Sequence, residues 1–316
     1  MKNCDRLLID IPTPSCHAST LCKTALGYAV AWFGGTAEKN NDVGIYVSLT
    51  DGETYSTPVR VSREDGIPHW NPVLWRHENG ALLLYYKVGF DTADWVTYLA
   101  VSEDDGEHWS VPRPLTPGDT SGGRGPVKNK PLRLTDGAVL APASSEQGQW
   151  KPFIDISHDG GFTFERTAYI EAPVIDGKPV GMIQPTLWES PAGCVHMFLR
   201  TDAGKIARAD SLDFGKTWSR AYLTDLANNN SGIDLTVMQN GTLVLACKPV
   251  SGNWKARTPL VLMTSPDGEH WSEYMTLENA PGEYSYPAVV ADGNTIALTY
   301  TWNREKIAFR MFDIKF

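Results

Sequence analysis

Four basic side chains stand at the borders of apolar segments: Lys128 and Lys130 in Lys-Asn-Lys-Pro, Arg200 in Met-Phe-Leu-Arg, and Arg257 in Ala-Arg-Thr-Pro. The chain has 316 residues and a formal charge of −9. Four cations gathered at one place would repel one another unless an anion balances them. A carboxylate ligand supplies that anion, because arginine holds a carboxylate through two parallel hydrogen bonds. Arg124, just upstream of Lys128, is counted with them. Polar residues recur around these cations: His17, His69, Asn71, Gln184, Asp234, Tyr284 and Tyr286. Such a set suits binding and proton transfer on a polar, hydroxyl-rich ligand.

What must position these residues is a repeat. Ser102-Glu-Asp104-Asp-Gly106-Glu-His-Trp109 returns as Ser157 to Phe164 and as Ser211 to Trp218, with looser copies around Gly52 and Gly268. The glycines fall at 52, 106, 161, 215 and 268, so the steps are 54, 55, 54 and 53 residues. Each copy reads as a tight turn between strands. The aspartate accepts backbone N–H groups, the glycine takes a positive φ, and the aromatic ring packs on the next strand. The turn is structural, and it counts the units: 316 over 54 is roughly six, the blade number of a β-propeller. We therefore expect an all-β fold, a single six-bladed propeller over residues 1–316.

Within one period the pattern is strand, strand, strand, turn, strand, with no convincing amphipathic helix. In the second unit the strands are Asn71–Trp75, 81–88, 97–102 and a stretch near 111–115. The last unit has only three: 288–291, 295–302 and 307–314. Residues 6–11, Arg-Leu-Leu-Ile-Asp-Ile, have no unit of their own, and we expect them to close the ring as its missing strand. The starts of the inner strands and the ends of the second strands share one face. Every candidate above then converges on one central funnel, joined by Glu38 and Asp42, which follow the second strand of the first unit.

Composition narrows the function. Scattered Lys and Arg in an acidic chain argue against nucleic acid. No segment is apolar enough to span a membrane, and the start, Met1-Lys-Asn-Cys-Asp-Arg, lacks a signal-peptide run, so a cytoplasmic location is expected. Five cysteines, an odd number in a chain of this length, do not form a disulfide framework, and neither they nor the histidines have metal-site spacing. No cofactor is expected. The eleven Trp and twelve Tyr suit blade packing and also sugar stacking.

Taken together, the turn repeats and funnel residues resemble the sialidase (neuraminidase) superfamily, in its BNR or Asp-box repeat branch. The resemblance covers nearly the whole chain. It implies a glycosidase that clamps a substrate carboxylate with three arginines and attacks with a tyrosine. Arg200 and Arg257 match the second and third arginines, and His17, in His-Ala-Ser-Thr-Leu, stands where the first should be. Tyr284-Ser285 matches the nucleophile motif. Gln184 stands where the family has the glutamate that takes the tyrosine proton, and an amide cannot act as a base. The acid/base aspartate would fall near Gly34-Gly35, which leaves Glu38, with Asp42 second, as the candidate acid.

A tyrosine with an ordinary pKa of about 10 needs a base or a cationic site to work at neutral pH. Arg200, Arg257 and His17 would provide the cationic site. The resulting expectation is a sialidase-like glycoside hydrolase acting on an acidic sugar of a glycan or oligosaccharide, an exception to the two-carboxylate pattern. Two alternatives stay open. One is a lyase cleaving uronate glycans by β-elimination, with Arg200, Tyr284, His17 and His69 as its parts. The other is a carbohydrate-binding propeller without catalysis.

Overall fold

A computed structural model describes residues 4–315; Met1 to Asn3 and Phe316, which the 1–316 span includes, lie outside the described residues. Among the described residues, six four-stranded antiparallel sheets follow one another around a ring, and a two-stranded hairpin, Val174–Ile175 with Lys178–Pro179, is inserted before the fourth blade. Each blade runs from an inner strand outward. Blade 1 is Ser15–Lys23, Tyr28–Gly35, Gly44–Thr50 and Val59–Arg60, and blade 2 is His69–Arg76, Leu82–Val88, Val96–Ser102 and Arg113–Pro114. Second and third strands are apolar on both faces, as strands buried between neighbouring blades must be; Leu82, Leu83, Leu84, Tyr85 and Tyr86 all have no exposed surface.

The repeated turns join third to fourth strands, on the face away from the funnel. Ser102 Oγ donates to Asp104 Oδ1 at 2.8 Å and accepts from Gly106 N at 2.8 Å, and Asp104 Oδ1 accepts from His108 N at 2.9 Å. The Ser211 turn repeats the set, with Gly215 N on Ser211 Oγ at 2.9 Å and Thr217 N on Asp213 Oδ1 at 2.8 Å. The glycines do more than take φ values of 78° and 115° at Gly215 and Gly161. A Cβ on Gly215 would stand 2.4 Å from Leu140 of the preceding blade, and one on Gly161 would stand 2.4 Å from Tyr85 Oη. Each turn is thus wedged against the blade before it, where no larger residue fits.

Inner strands share a second device. In blades 1, 2, 4 and 6 the pairing slips by one residue near the funnel mouth, between His17 and Thr20, Trp70 and Val73, Ile183 and Thr186, and Ser285 and Ala288. The bulged residues Ala18, Asn71, Gln184 and Tyr286 all take positive φ, from 40° to 55°. In three blades a proline follows, and its missing N–H leaves no donor orphaned at the bulge. The bulge turns the side chain that precedes the proline into the mouth.

The ring closes as expected, with a small shift in bounds. Cys4–Ile9 pairs antiparallel with Lys306–Asp313 and completes blade 6, whose other strands are Tyr284–Asp292 and Thr295–Trp302. Ile9 is fully buried, and Arg6 Nη1 reaches Glu278 Oε1 at 2.9 Å on blade 5. Removing residues 1–11 should lower Tm by on the order of 5–10 °C, read in a thermal melt against the full chain. An unchanged Tm would show that the strand is dispensable.

Candidate active site

The mouth is built on Tyr286. Its φ of 52° is a strained value for a large side chain, and the bulge holds it there. The phenol oxygen accepts from Gln184 Nε2 at 3.2 Å and from Arg200 Nη1 at 3.3 Å. Gln184, at the matching bulge of blade 4, also donates Nε2 to Glu146 Oε1 at 3.0 Å and accepts from Arg200 Nη1 at 3.1 Å. Arg200 Nε is fixed on Asn230 Oδ1 at 3.0 Å. The His17 ring lies 4.3 Å from the Tyr286 ring, and its Nδ1 is 3.1 Å from Thr301 Oγ1.

Tyr284 does not belong to this group. Strict alternation would put it on the face of Tyr286, but the bulge breaks the alternation. Its ring is buried in the apolar cluster of Leu260, Leu298 and Tyr300, and burial raises its pKa. The Tyr-Ser motif therefore marks a core residue, and the tyrosine in the mouth comes two positions later.

A third arginine stands at the mouth from an unexpected place. Arg304 sits in the tight turn between the second and third strands of blade 6, where Asn303 and Arg304 take φ of 52° and 58°. Two positive φ values mark a type I′-like turn, which Asn-Gly fills far more readily than Asn-Arg. Cys16 N donates to Arg304 O at 2.9 Å. The turn is thereby stitched to the start of the strand that carries His17, in which the family resemblance puts its first arginine.

Several of these charges act on one another. His17 is held well below its ordinary pKa by burial first, and then by Arg304, Arg257 and Arg200 together. Burial and the nearby Arg200 lower even Arg257, whose side chain makes no hydrogen bond or ion pair among the described residues and stacks 5.3 Å from Trp254. Arg304 is balanced by Glu38 at 2.6 Å and by Glu283 at 3.2 Å. Burial would raise Glu283, but Arg304 outweighs it and holds the carboxyl below its usual range. Glu146 goes the other way: its dry surroundings raise its pKa against the pull of Arg200 and Gln184.

Several expected binding residues serve the fold instead. Arg124 grips the buried Asp155 through Nε and Nη2, at 2.9 and 2.7 Å, between blades 2 and 3. Lys130 Nζ lies 2.9 Å from Asp234 Oδ2, inside the channel. Lys128 Nζ is buried beneath Tyr286 and donates to Asn129 Oδ1, Ile233 O and Pro287 O, so its three N–H groups are used up. His69 Nδ1 donates to Val43 O at 2.6 Å, and its Nε2 lies 3.3 Å from Glu64 Oε2, buried between blades 1 and 2. Asp42 ties its own loop by accepting from Thr36 N and Oγ1 at 2.8 and 2.9 Å. Asn71 is buried at the bulge of blade 2, and no contact joins it to the arginines. Glu38 is at the mouth, where it is paired with Arg304 at 2.6 Å.

No metal-ligating cluster lies at the mouth among the described residues. Asp104, Glu107 and His108 come within 4.8 Å of one another on an exposed turn, where Asp104 Oδ2 is taken by His108 Nδ1 at 2.7 Å.

The family model for the BNR repeat-like domain matches residues 28–298. The chain belongs to that family. Within it the sialidase-like branch is represented among the relatives. An anhydrosialidase of Macrobdella decora is 27% identical over 193 residues, which are 58% of this chain and 23% of that protein. The chain thus spans about a quarter of that relative's length. The Hadza microbial sialidase Hz136 superposes with a TM-score of 0.79 at 17% identity, over 96% of this chain and 66% of that one. A protein of unknown function from Dyadobacter fermentans matches end to end, 99% of each chain, with a TM-score of 0.78 at 17% identity. At that identity the structures show the shared propeller.

One buried cation makes the site sensitive to pH. Lys248, at the end of the second strand of blade 5, has no exposed surface, and its Nζ has no hydrogen-bond partner among the described residues. Burial, followed by Arg257, pulls it down to about 7. Its pKa in the folded state lies below the ordinary value of about 10.4, so the cost of burying the ammonium is felt in full below about pH 7. That cost fades as pH rises toward 10, and stability rises with it. Lys248→Met should stabilise at pH 6.5 by on the order of 1–3 kcal/mol and much less at pH 9.5, measured by urea unfolding at both pH values.

Proposed function

We propose that the protein is a glycoside hydrolase for an acidic, carboxylate-bearing sugar at the end of a glycan or oligosaccharide. The observation that carries this reading is the grouping of three arginines from three blades near Tyr286: Arg200 is 3.3 Å from its hydroxyl, Arg257 shares the Trp254 ring with Arg200, and Arg304 rides on the turn bonded to Cys16, next to the His17 that packs on the Tyr286 ring. Neither Arg200 nor Arg257 hydrogen-bonds a carboxylate among the described residues, and the substrate's carboxylate would supply one. The clamp sets the sugar's anomeric carbon over Tyr286 Oη. That oxygen already receives two N–H donors, one of them cationic, which stabilise negative charge as it develops there.

The steps balance as a double displacement. Tyr286 Oη bonds to the anomeric carbon as the glycosidic C–O bond breaks, and Glu146, whose pKa burial raises, serves as the acid that gives a proton to the leaving oxygen. Glu146 then takes a proton from the water that releases the sugar from the tyrosine. A phenol carries less charge toward a carboxylate-bearing carbon than an aspartate or glutamate would, which fits the clamp. The phenolic proton passes to solvent at the open mouth.

The second reading is β-elimination on a uronate. Its support is His17, kept neutral by burial and the arginines and set beside Tyr286, so that it is able to accept a proton.

Release of fluorophore from a sialoside and a set of uronides tests the hydrolase, with absorbance of a new double bond followed on uronate oligosaccharides in parallel. On the substrate that is turned over, Tyr286→Phe should lower kcat by on the order of 10³-fold or more, while Tyr284→Phe changes it by less than about threefold. The reverse order would restore the Tyr-Ser motif as the nucleophile. Arg200→Lys should weaken an acidic ligand about 10–100-fold and leave a neutral analogue unchanged. Equal losses for both would remove the carboxylate clamp.

A further inference from the structure

A groove leaves the mouth over the rim of blades 3 and 4. Its inner part is lined by Trp150, Asn230 and Trp254, and its outer part by Lys151, Tyr169 and the inserted hairpin; Trp150, Gln149 and Pro179 belong to both. The two parts measure about 250 and 390 Å³, which together fall in the range of small-ligand clefts. At the inner end the Arg200 guanidinium lies 5.7 Å from the Trp150 ring and holds Asn230. The clamp and the groove are therefore one continuous surface.

The outer end carries charge. Arg166 stacks 3.9 Å from the Phe153 ring and 4.5 Å from Tyr169, and Lys151 Nζ lies 5.6 Å from the same tyrosine, which is 45% exposed. Neither cation has a carboxylate partner among the described residues, in a chain of charge −9. The neighbouring Arg220, by contrast, is paired with Glu171 at 2.7 Å. Apolar ring surface at Trp150 and Tyr169 and the positive charge of two cations without a carboxylate partner thus stand together at this end of the groove. A pyranose ring offers its C–H face to the first, and an acidic substituent on it answers the second.

We propose that this groove binds the sugar units that follow the clamped one, and that the substrate is an oligosaccharide with a further acidic unit, a carboxylate or sulfate, seated at Tyr169, Lys151 and Arg166. The proposal rests on the clamp reading. It extends that reading from one terminal sugar to a chain that carries repeated negative charge.

The test is calorimetric binding of monomer and trimer probes: N-acetylneuraminic acid with its α-2,8-linked trimer, and galacturonic acid with its α-1,4-linked trimer. In one series the trimer should bind at least tenfold tighter than the monomer, more than the threefold that three equivalent units give by statistics. Tyr169→Ala and Lys151→Glu should each weaken the trimer about fivefold to tenfold and leave the monomer unchanged, with Tm confirming that both variants fold. Arg200→Lys should weaken both probes. Equal affinity for monomer and trimer, or a trimer preference that survives both variants, overturns the groove and leaves the clamp standing. If the wild-type protein binds neither monomer nor trimer of either series, the clamp fails and the groove falls with it.

Discussion

The carboxylate of Asp234 holds four inner strands together. It accepts from Lys130 Nζ of blade 3, Thr186 Oγ1 of blade 4, the N–H of Leu235 on its own strand in blade 5, and the N–H of Val289 in blade 6. All of this lies in a buried channel, where an unpaired charge is costly and a fully paired one fixes a single arrangement. Lys128 adds a second pin just above, reaching carbonyls of blades 5 and 6. Because the blades cannot slide at the axis, side chains from blades 3 to 6 meet at the mouth with settled distances. The precision of the Tyr286, Gln184 and Arg200 contacts depends on this pin rather than on any loop.

Above the pin, charge is deliberately unbalanced. Arg304 has two glutamates, while Arg200 and Arg257 lean on amides and tryptophan rings. Desolvation makes that arrangement expensive, and Arg257 and His17 both show it in lowered pKa values. On the reading proposed above, a carboxylate entering the mouth would relieve the repulsion and gain bidentate hydrogen bonds at once. The fold, and not a ligand, has already met the cost of bringing the cations together.

Much of this was legible from sequence, and the failures have physical causes. The 54-residue spacing carried the blade count, the closing strand and the funnel face, since a repeated turn fixes phase around the whole ring. Arg200, His17, Gln184 and Tyr286 were read from that phase, and Arg257 from the family resemblance. Tyr284 was misplaced because alternation assumes an unbroken strand, and the bulge at Tyr286 breaks it; the Pro287 that follows was the available signal, shared with Asn71-Pro72 and Gln184-Pro185. Arg304 escaped because it rides on a turn, outside the strand ends that were sampled. Its signal was an arginine in the second position of a turn that favours glycine. Lys128, Lys130, Arg124 and Asp234 were read as ligand contacts because sequence shows a charge but not the partner that neutralises it.

The seam in blade 6 has a consequence in time. Cys4–Ile9 leaves the ribosome roughly 300 residues ahead of its partner Lys306–Asp313, about 15–60 s at ordinary rates of translation. Throughout that interval an apolar strand with Leu7, Leu8 and Ile9 has no sheet to join, and blade 6, which carries Glu283, Tyr286 and Arg304, does not exist. The nascent chain can stack its earlier blades as they emerge, but the last step of folding must recruit a segment made roughly 300 residues earlier. Completion of the mouth and ring closure are then one event, and a chain cut short anywhere before blade 6 has neither.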